Sequence, residues 1–267
     1  MPANKYIIDS DSKEVYNEIC KNLIIIDCHT HIGEDIDGHK ISSKQLIRSM
    51  DFSKINKSIS FPLNNPNYSK TFSTPNDLIW RSHQMYPERI IPFFRLNPNF
   101  PAWKKECKKR IEQGFTGIKL HPRSQAFRIS APAVRDILAQ AEKHNLIVLI
   151  HTGLGVRNLV DDLKRVIREF AKVKFILGHA AFIDITRAMK SVADKDNVLF
   201  ETSTVRMFDL FDLFKEVSHK RVCFGSDIPY YDQQLSLDML ITTALMHKKT
   251  PSQIQEMIGG NIIQWLK

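Results

Sequence analysis

An α/β barrel is the fold this sequence predicts, because eight short apolar runs suited to β-strands alternate with amphipathic helical segments between residues 23 and 266. Strands apolar on both faces and joined by helical crossovers belong to a parallel sheet covered on both sides. Eight such units in 267 residues favour closure into a (β/α)8 TIM barrel, one domain over residues 1–267, rather than an open doubly wound sheet. No Gly-x-Gly-x-x-Gly follows any run, which argues against a dinucleotide fold. Neither a sequence repeat nor a low-complexity linker divides the chain.

A leading helix is expected around Lys13 to Lys21, and the first strand lies in Leu23-Ile24-Ile25-Ile26-Asp27-Cys28-His29-Thr30-His31-Ile32-Gly33. Strand side chains alternate faces, so Asp27, His29 and His31 are expected on one face and Ile26, Cys28 and Thr30 on the other. Ser42 or Ser43 caps a helix over Ser42 to Asp51. The second strand, Lys57 to Leu63, is halted by Pro62 and Asn64-Asn65-Pro66-Asn67, which opens a loop running to Pro75. Asn76 to Met85 reads as helix, Arg89 to Leu96 as the third strand, and Pro101 to Glu112 as a helix that begins with proline. Phe115 to Leu120 is the fourth strand, Pro132 to His144 a helix, and Leu146 to Ile150 the fifth strand, the purest β-run in the chain. The cycle continues with helix Arg157 to Ala171 and strand Lys174 to Gly178, then helix Asp184 to Ala193 and strand Asn197 to Thr202. Helix Arg206 to Ser218, strand Arg221 to Gly225 and helices over Leu235 to His247 and Ser252 to Leu266 complete the pattern.

Composition narrows the class. Hydrophobic residues at 43% and charged residues at 25% suit a packed globular chain rather than a disordered one. The longest apolar runs fall well short of the roughly 20 residues that span a bilayer, and Met1 to Ser10 lacks a signal-peptide pattern. A cytoplasmic protein with no membrane partner is expected. Cys20, Cys28, Cys107 and Cys223 form no Cys-x-x-Cys pair and are expected to be buried thiols. A net charge of +9 is assigned to solvated helix faces, such as that of Lys104, Lys105, Lys108 and Lys109, in preference to a nucleic-acid partner.

In such a barrel the chemistry lies at the C-terminal ends of the strands. There the sequence sets His29 and His31 on the first strand, Arg95 on the third, Lys119 and His121 on the fourth, and His151, His179, Glu201 and Asp227 on the fifth to eighth. Each has a plain structural explanation when taken singly: a hydrogen-bonded His151, a helix-capping His179, a turn or N-cap Asp227. Jointly those explanations weaken, since five of the ten histidines fall at strand ends. Imidazoles and carboxylates are ligands for zinc and its neighbours. His39, His83, His144, His219 and His247 lie elsewhere and are assigned no chemistry, and Glu34, Asp35 and Asp37 read as solvated loop acids.

The segments Ile26-Asp27-Cys28-His29-Thr30-His31, Gly117-Ile118-Lys119-Leu120-His121-Pro122, Ile150-His151-Thr152-Gly153, Leu177-Gly178-His179-Ala180 and Phe224-Gly225-Ser226-Asp227-Ile228-Pro229 occur in that order on successive strand ends. With them the chain resembles the amidohydrolase superfamily and, within it, the amidohydrolase 2 family, which also contains decarboxylases; the likeness runs from Ile25 to about Trp265. What the resemblance implies is one divalent metal held by His29, His31, His151 and Asp227, with His179 close by. Three neutral nitrogens and a carboxylate suit Zn²⁺, with Mn²⁺, Fe²⁺ or Ni²⁺ as alternatives. Asp227 and His179 are then the expected catalytic residues, Asp227 as ligand and base, His179 polarising a substrate carbonyl or protonating a leaving group. Arg95, Lys119, His121 and Arg123 are expected to bind a carboxylate or phosphate on a small-molecule substrate, and Glu201 is grouped with them. Relatives with two metals bridge them through a carbamylated lysine on the fourth strand, which leaves that role open for Lys119.

The expected activity is metal-dependent hydrolysis of a C–N or C–O bond in a small anionic substrate. Its alternative is non-oxidative decarboxylation of a small unsaturated or aromatic acid by the same ligands. A metal-dependent nuclease is disfavoured because that related branch carries a glutamate where Lys119 or His121 stands. A barrel that only binds is disfavoured by the complete ligand set. A homo-oligomer is compatible with the sequence.

Overall fold

The structure, a computed structural model, describes residues 18–19, 23–68 and 70–267. Strand β1 (Ile26–Glu34) is followed by the two-residue strand β2 (Lys40–Ile41), which folds back antiparallel on it. Seven further strands then lie parallel, the first beside β1 and each later one beside the one before: β3 (Lys57–Pro62), β4 (Ile90–Arg95), β5 (Gly117–Leu120), β6 (Ile147–His151), β7 (Phe175–Gly178), β8 (Val198–Glu201) and β9 (Val222–Cys223). Helices α1 (Ser43–Phe52), α2 (Ser73–Met85), α3 (Trp103–Gln113), α4 (Pro132–Lys143), α5 (Leu159–Glu169), α6 (Ile185–Val192), α7 (Met207–Glu216) and α8 (Gln233–Met246) follow the eight parallel strands in turn. The sheet closes where the Cys28 N–H donates to Phe224 O (2.9 Å), the Asp227 N–H to His29 O (2.8 Å) and the His31 N–H to Ile228 O (3.0 Å). The expected TIM barrel is the fold formed. No helix among the described residues is long and apolar enough to cross a membrane.

Two apolar layers hold it together. Ile26, Cys28, Ile59, Phe61, Phe93, Leu149, Ile176, Leu199 and Cys223 fill the barrel's interior, and a larger layer of aliphatic and aromatic side chains lies between strands and helices. Local signals set the element ends. Ser42 caps α1 in a reciprocal pair with Gln45, and Asp232 caps α8 through the Leu235 N–H. Lys104, Lys105, Lys108 and Lys109 form the exposed face of α3, while the thiols of Cys28, Cys107 and Cys223 are free and buried. The leading helix expected over Lys13 to Lys21 lies, apart from Glu18 and Ile19, outside the described residues, as does Cys20.

Four features depart from the pattern. The register of β1 against β3 shifts between Asp27 and Thr30, so the strict alternation expected there is interrupted. Cys28 and His29, neighbours in sequence, both reach the barrel interior, and Asp27 turns outward to Gln233 of α8. Helix α2 starts at Ser73, ahead of Pro75, because a first-turn N–H has no partner within a helix and a proline there costs little. The hairpin of β1 and β2 carries no apolar alternation to announce it. Its turn is closed by the Asp35 N–H on His39 O (2.8 Å). Lastly, the final helix is broken into α9 (Pro251–Gln255), a π-helical turn over Glu256–Gly260, and α10 (Asn261–Leu266). Met257 O in that turn accepts the Phe224 N–H (3.0 Å), which ends the ladder of β9 early.

The barrel's seam is pinned by one carboxylate. Asp27, fully buried, accepts from the His29 N–H (3.0 Å), the Ser226 N–H (3.0 Å), the Ser226 hydroxyl (2.6 Å) and the Gln233 amide (2.8 Å). Burial pushes its pKa up to about 6 against the pull of those donors. Replacing Asp27 with Ala leaves buried donors without an acceptor. It is expected to lower unfolding stability by on the order of 3 kcal/mol, read from chemical denaturation, whereas Asp51→Ala on the exposed end of α1 should change it by less than about 1 kcal/mol.

Candidate active site

A cavity of about 430 Å³ opens at the C-terminal mouth of the barrel. His29, His31, Arg95, Lys119, His121, Arg123, His151, His179 and Asp227 line it, together with Asp35, Ile36, Asp37, Asn64, Ser124 and Tyr230. Every residue expected at the site is therefore on its wall except Glu201, which is fully buried behind His29.

Backbone geometry aims the two residues expected to be catalytic. Asp227 has φ 67°, and His179 begins a run of three left-handed residues with φ 66°, 47° and 63°. For side chains with a Cβ such conformations cost roughly 1–3 kcal/mol each and persist where surrounding contacts enforce them. Around Asp227 the enforcing contact is its own N–H on His29 O. Around His179 it is Thr152, whose hydroxyl donates to Gly178 O (2.6 Å) and accepts the Ala181 N–H (3.0 Å).

Three ligand-type atoms converge. Asp227 Oδ1 lies 3.2 Å from His29 Nε2 and 3.0 Å from His31 Nε2, and the donors of these three residues all lie within 4.8 Å of one another. Lys119 brings its amine to the same place: its Nζ is 3.1 Å from His29 Nε2 and 4.3 Å from the centre of the Phe61 ring. His151 stands beyond this close group. It stacks on His121 with ring centres 3.9 Å apart, its Nδ1 is 2.9 Å from His179 Nε2, and its buried Nε2 has no hydrogen-bond partner among the described residues. A cluster of buried imidazole nitrogens and one carboxylate, with an orphaned nitrogen beside it, fits a divalent metal.

Electrostatics keep the imidazoles neutral. Burial, with the neighbouring positive groups, holds His29, His121 and His151 well below the ordinary histidine range; burial also lowers His31, and it brings His179 down to about 4. Neutral nitrogen is the form that ligates. Burial alone would raise the Asp227 carboxyl, but the hydrogen bond with His31 and the electrostatics of the groups around it outweigh that and hold it below its usual range, ionised. Burial lowers the Lys119 amine and raises the Glu201 carboxyl.

Arg95 is the unusual cation. Fully buried, it is held by neutral groups: Nε donates to Gln125 Oε1 (3.3 Å), Nη1 to Pro62 O (3.4 Å), and Nη2 to Asn64 Oδ1 (3.2 Å) and Ser124 Oγ (2.6 Å). No carboxylate among the described residues lies within salt-bridge distance of it, and burial lowers its pKa to about 10. Asn76 of α2 fixes its backbone, accepting the Arg95 N–H (2.8 Å) and donating to Arg95 O (3.0 Å). Arg123, by contrast, is exposed at the lip.

Several residues at the site carried no signal in the sequence. Asp35, read as a solvated loop acid, accepts the Tyr230 hydroxyl and the Asn64 N–H (3.3 Å). Tyr230 also sets its ring edge-on to His31 at 5.8 Å, and burial raises its phenol pKa. Ser203 and Thr204 place hydroxyls 3.0 Å from His179 Nδ1. Their positions just after Glu201 were the only available clue, and serine and threonine are too common in loops for that to stand out.

Over residues 26–267 the chain matches the amidohydrolase family, and it belongs to that family. Solved structures share the fold at low identity. A protein from Metarhizium anisopliae, named IDCase, superposes with a TM-score of 0.71 at 15% identity, covering 93% of this chain and 98% of its own. A 2,6-dihydroxybenzoate decarboxylase from Rhizobium gives 0.69 at 16% identity, covering 91% and 98%. A 4-oxalomesaconate hydratase from Rhodopseudomonas palustris gives 0.68 at 16% identity, covering 91% and 95%. No curated protein matches the sequence.

Gly225 shows how tightly the strand ends are packed. A Cβ at this position would overlap the Glu201 carboxylate and lie 2.9 Å from His29 Cβ. Gly225→Ala is therefore expected to displace His29 and to lower both the thermal midpoint and the bound divalent metal, measured by calorimetry and elemental analysis on one preparation.

Proposed function

We propose that this protein is a metal-dependent hydrolase that cleaves a C–N or C–O bond in a small anionic substrate. The observation that carries the reading is the joining, in one cavity, of the His29–His31–Asp227 cluster with a buried, charge-unpaired Arg95. His29, His31 and Asp227 would hold the metal, with the unpartnered Nε2 of His151 as fourth donor; zinc suits this set best. When bound, the ion supplies Lewis acidity and lowers the pKa of water at the site.

The protein's own groups do the rest. Asp227, ionised and held by its left-handed backbone, accepts the proton of the attacking water. His179, which lines the cavity with Nδ1 held by Ser203 and Thr204 and Nε2 2.9 Å from His151 Nδ1, would polarise the scissile carbonyl or pass a proton to the leaving group. A substrate carboxylate or phosphate sets its charge against Arg95, with Lys119, His121 and Arg123 around it. A buried guanidinium on neutral partners gains most from such a counter-charge. Glu201, which does not reach the cavity, belongs in this reading to the support of His29 rather than to substrate binding.

Decarboxylation would use the same donors. One of the solved structures of like fold bears a decarboxylase name, but at 16% identity that likeness speaks for the fold alone. The lining favours water chemistry on a polar substrate, since Ile36 is the one aliphatic side chain in it.

A panel of anionic esters, amides, lactones and unsaturated acids, assayed on zinc-loaded protein for both water addition and carbon dioxide, tests the reading. Turnover of a hydrolysable anion, abolished by chelation, is expected; carbon dioxide without water addition would replace hydrolysis with decarboxylation. On the active substrate, Asp227→Asn should lower kcat by roughly 10²–10⁴ with the fold retained. Arg95→Met should raise KM by about 10- to 100-fold, the loss of a charge-assisted contact.

A further inference from the structure

We infer that Glu201 is a positioning residue for metal binding, a carboxylate that turns the His29 imidazole so that its Nε2 lone pair faces the cavity. The inference rests on reading His29 as a metal ligand. An imidazole ligated through one nitrogen is free to choose tautomer and ring orientation unless its other nitrogen is held, and a carboxylate there also makes the ligating nitrogen more basic.

The contacts have that form. Glu201 Oε2 lies 2.6 Å from His29 Nδ1, while Lys119 Nζ lies 3.1 Å from Nε2 on the opposite side of the ring. Donation from Nδ1 to the carboxylate leaves Nε2 as the lone-pair side, the side that already faces the Lys119 amine. Glu201 is itself immobilised: Oε1 accepts the Ser203 N–H, and Oε2 accepts the Ser203 hydroxyl (2.8 Å) and the His179 N–H (3.2 Å). With no exposure, no water competes for these bonds. One side chain on β8 thus ties the ring of His29 on β1 to the backbone at which the left-handed turn of His179 begins. Gly225, which has no Cβ, leaves the room that the carboxylate occupies.

The test is zinc titration of metal-stripped, full-length protein against a chromophoric chelator, with melting of the metal-free forms followed in parallel. Glu201→Gln retains the side chain's size and removes its charge. It should weaken zinc binding roughly 10- to 100-fold while the metal-free melting midpoint stays within a few degrees of wild type. Should Glu201→Gln not fold, Ser203→Ala, which keeps the carboxylate and removes its hydroxyl donor, should weaken zinc about 5- to 10-fold. Zinc affinity within twofold of wild type in the folded variant, alongside a weakened His29→Ala, overturns the inference alone. A His29→Ala protein that binds zinc as tightly as wild type overturns the metal reading of the site instead.

Discussion

The closing of the last strand onto the first, around the buried Asp27 carboxylate, is the constraint from which the rest of the structure follows. Residues about two hundred positions apart must meet there, and backbone bonds alone would not specify how. Asp27 gathers the N–H groups of His29 and Ser226, the Ser226 hydroxyl and the Gln233 amide onto two oxygens. It thereby sets the register of β1 against the segment that carries Asp227. The Asp227 N–H then bonds His29 O, and its carboxylate falls beside His29 Nε2 and His31 Nε2. One buried acid places the opposing halves of the candidate metal cluster.

Burial does the second part of the work. Inside a low-dielectric mouth the imidazoles are kept neutral, and Asp227 stays ionised chiefly through its hydrogen bond with His31. Arg95, register partner of Lys119 across β4 and β5, sets a charge without an ionic partner on one wall. Uncompensated charge of this kind is expensive in a folded protein, and it is retained where something else gains from it. The left-handed backbone at Asp227 and His179 is a cost of the same nature, carried at the two positions where side-chain direction matters most.

Much of this was legible in the residues. The alternation of apolar runs with amphipathic helices was enough for the barrel, since few architectures accommodate eight such units. His29, His31, Arg95, Lys119, His121, His151, His179 and Asp227 stood out as polar groups ending apolar strands. Asp27 was misread for a local reason. Strand parity put it beside His29, but the irregularity in β1 rotates it outward to α8, and an irregularity of that kind leaves no compositional trace. Glu201 was grouped with the substrate-binding residues because it ends a strand. Its depth in the barrel, below the cavity floor and against His29 Nδ1, depends on Gly225 across the seam. Tyr230 and Asp35 are joined across nearly two hundred residues by a hydrogen bond that neither local sequence suggests.

The sequence by itself determined the eight parallel strands, the helices that follow them and the polar groups at the strand ends, because periodicity and side-chain chemistry are local properties. Only the tertiary structure decided which imidazole nitrogens meet the Asp227 carboxylate, that Arg95 lacks an ionic partner, and that Glu201 lies against His29. Those are properties of distance between strands remote in the chain, and they exist only once the barrel has closed.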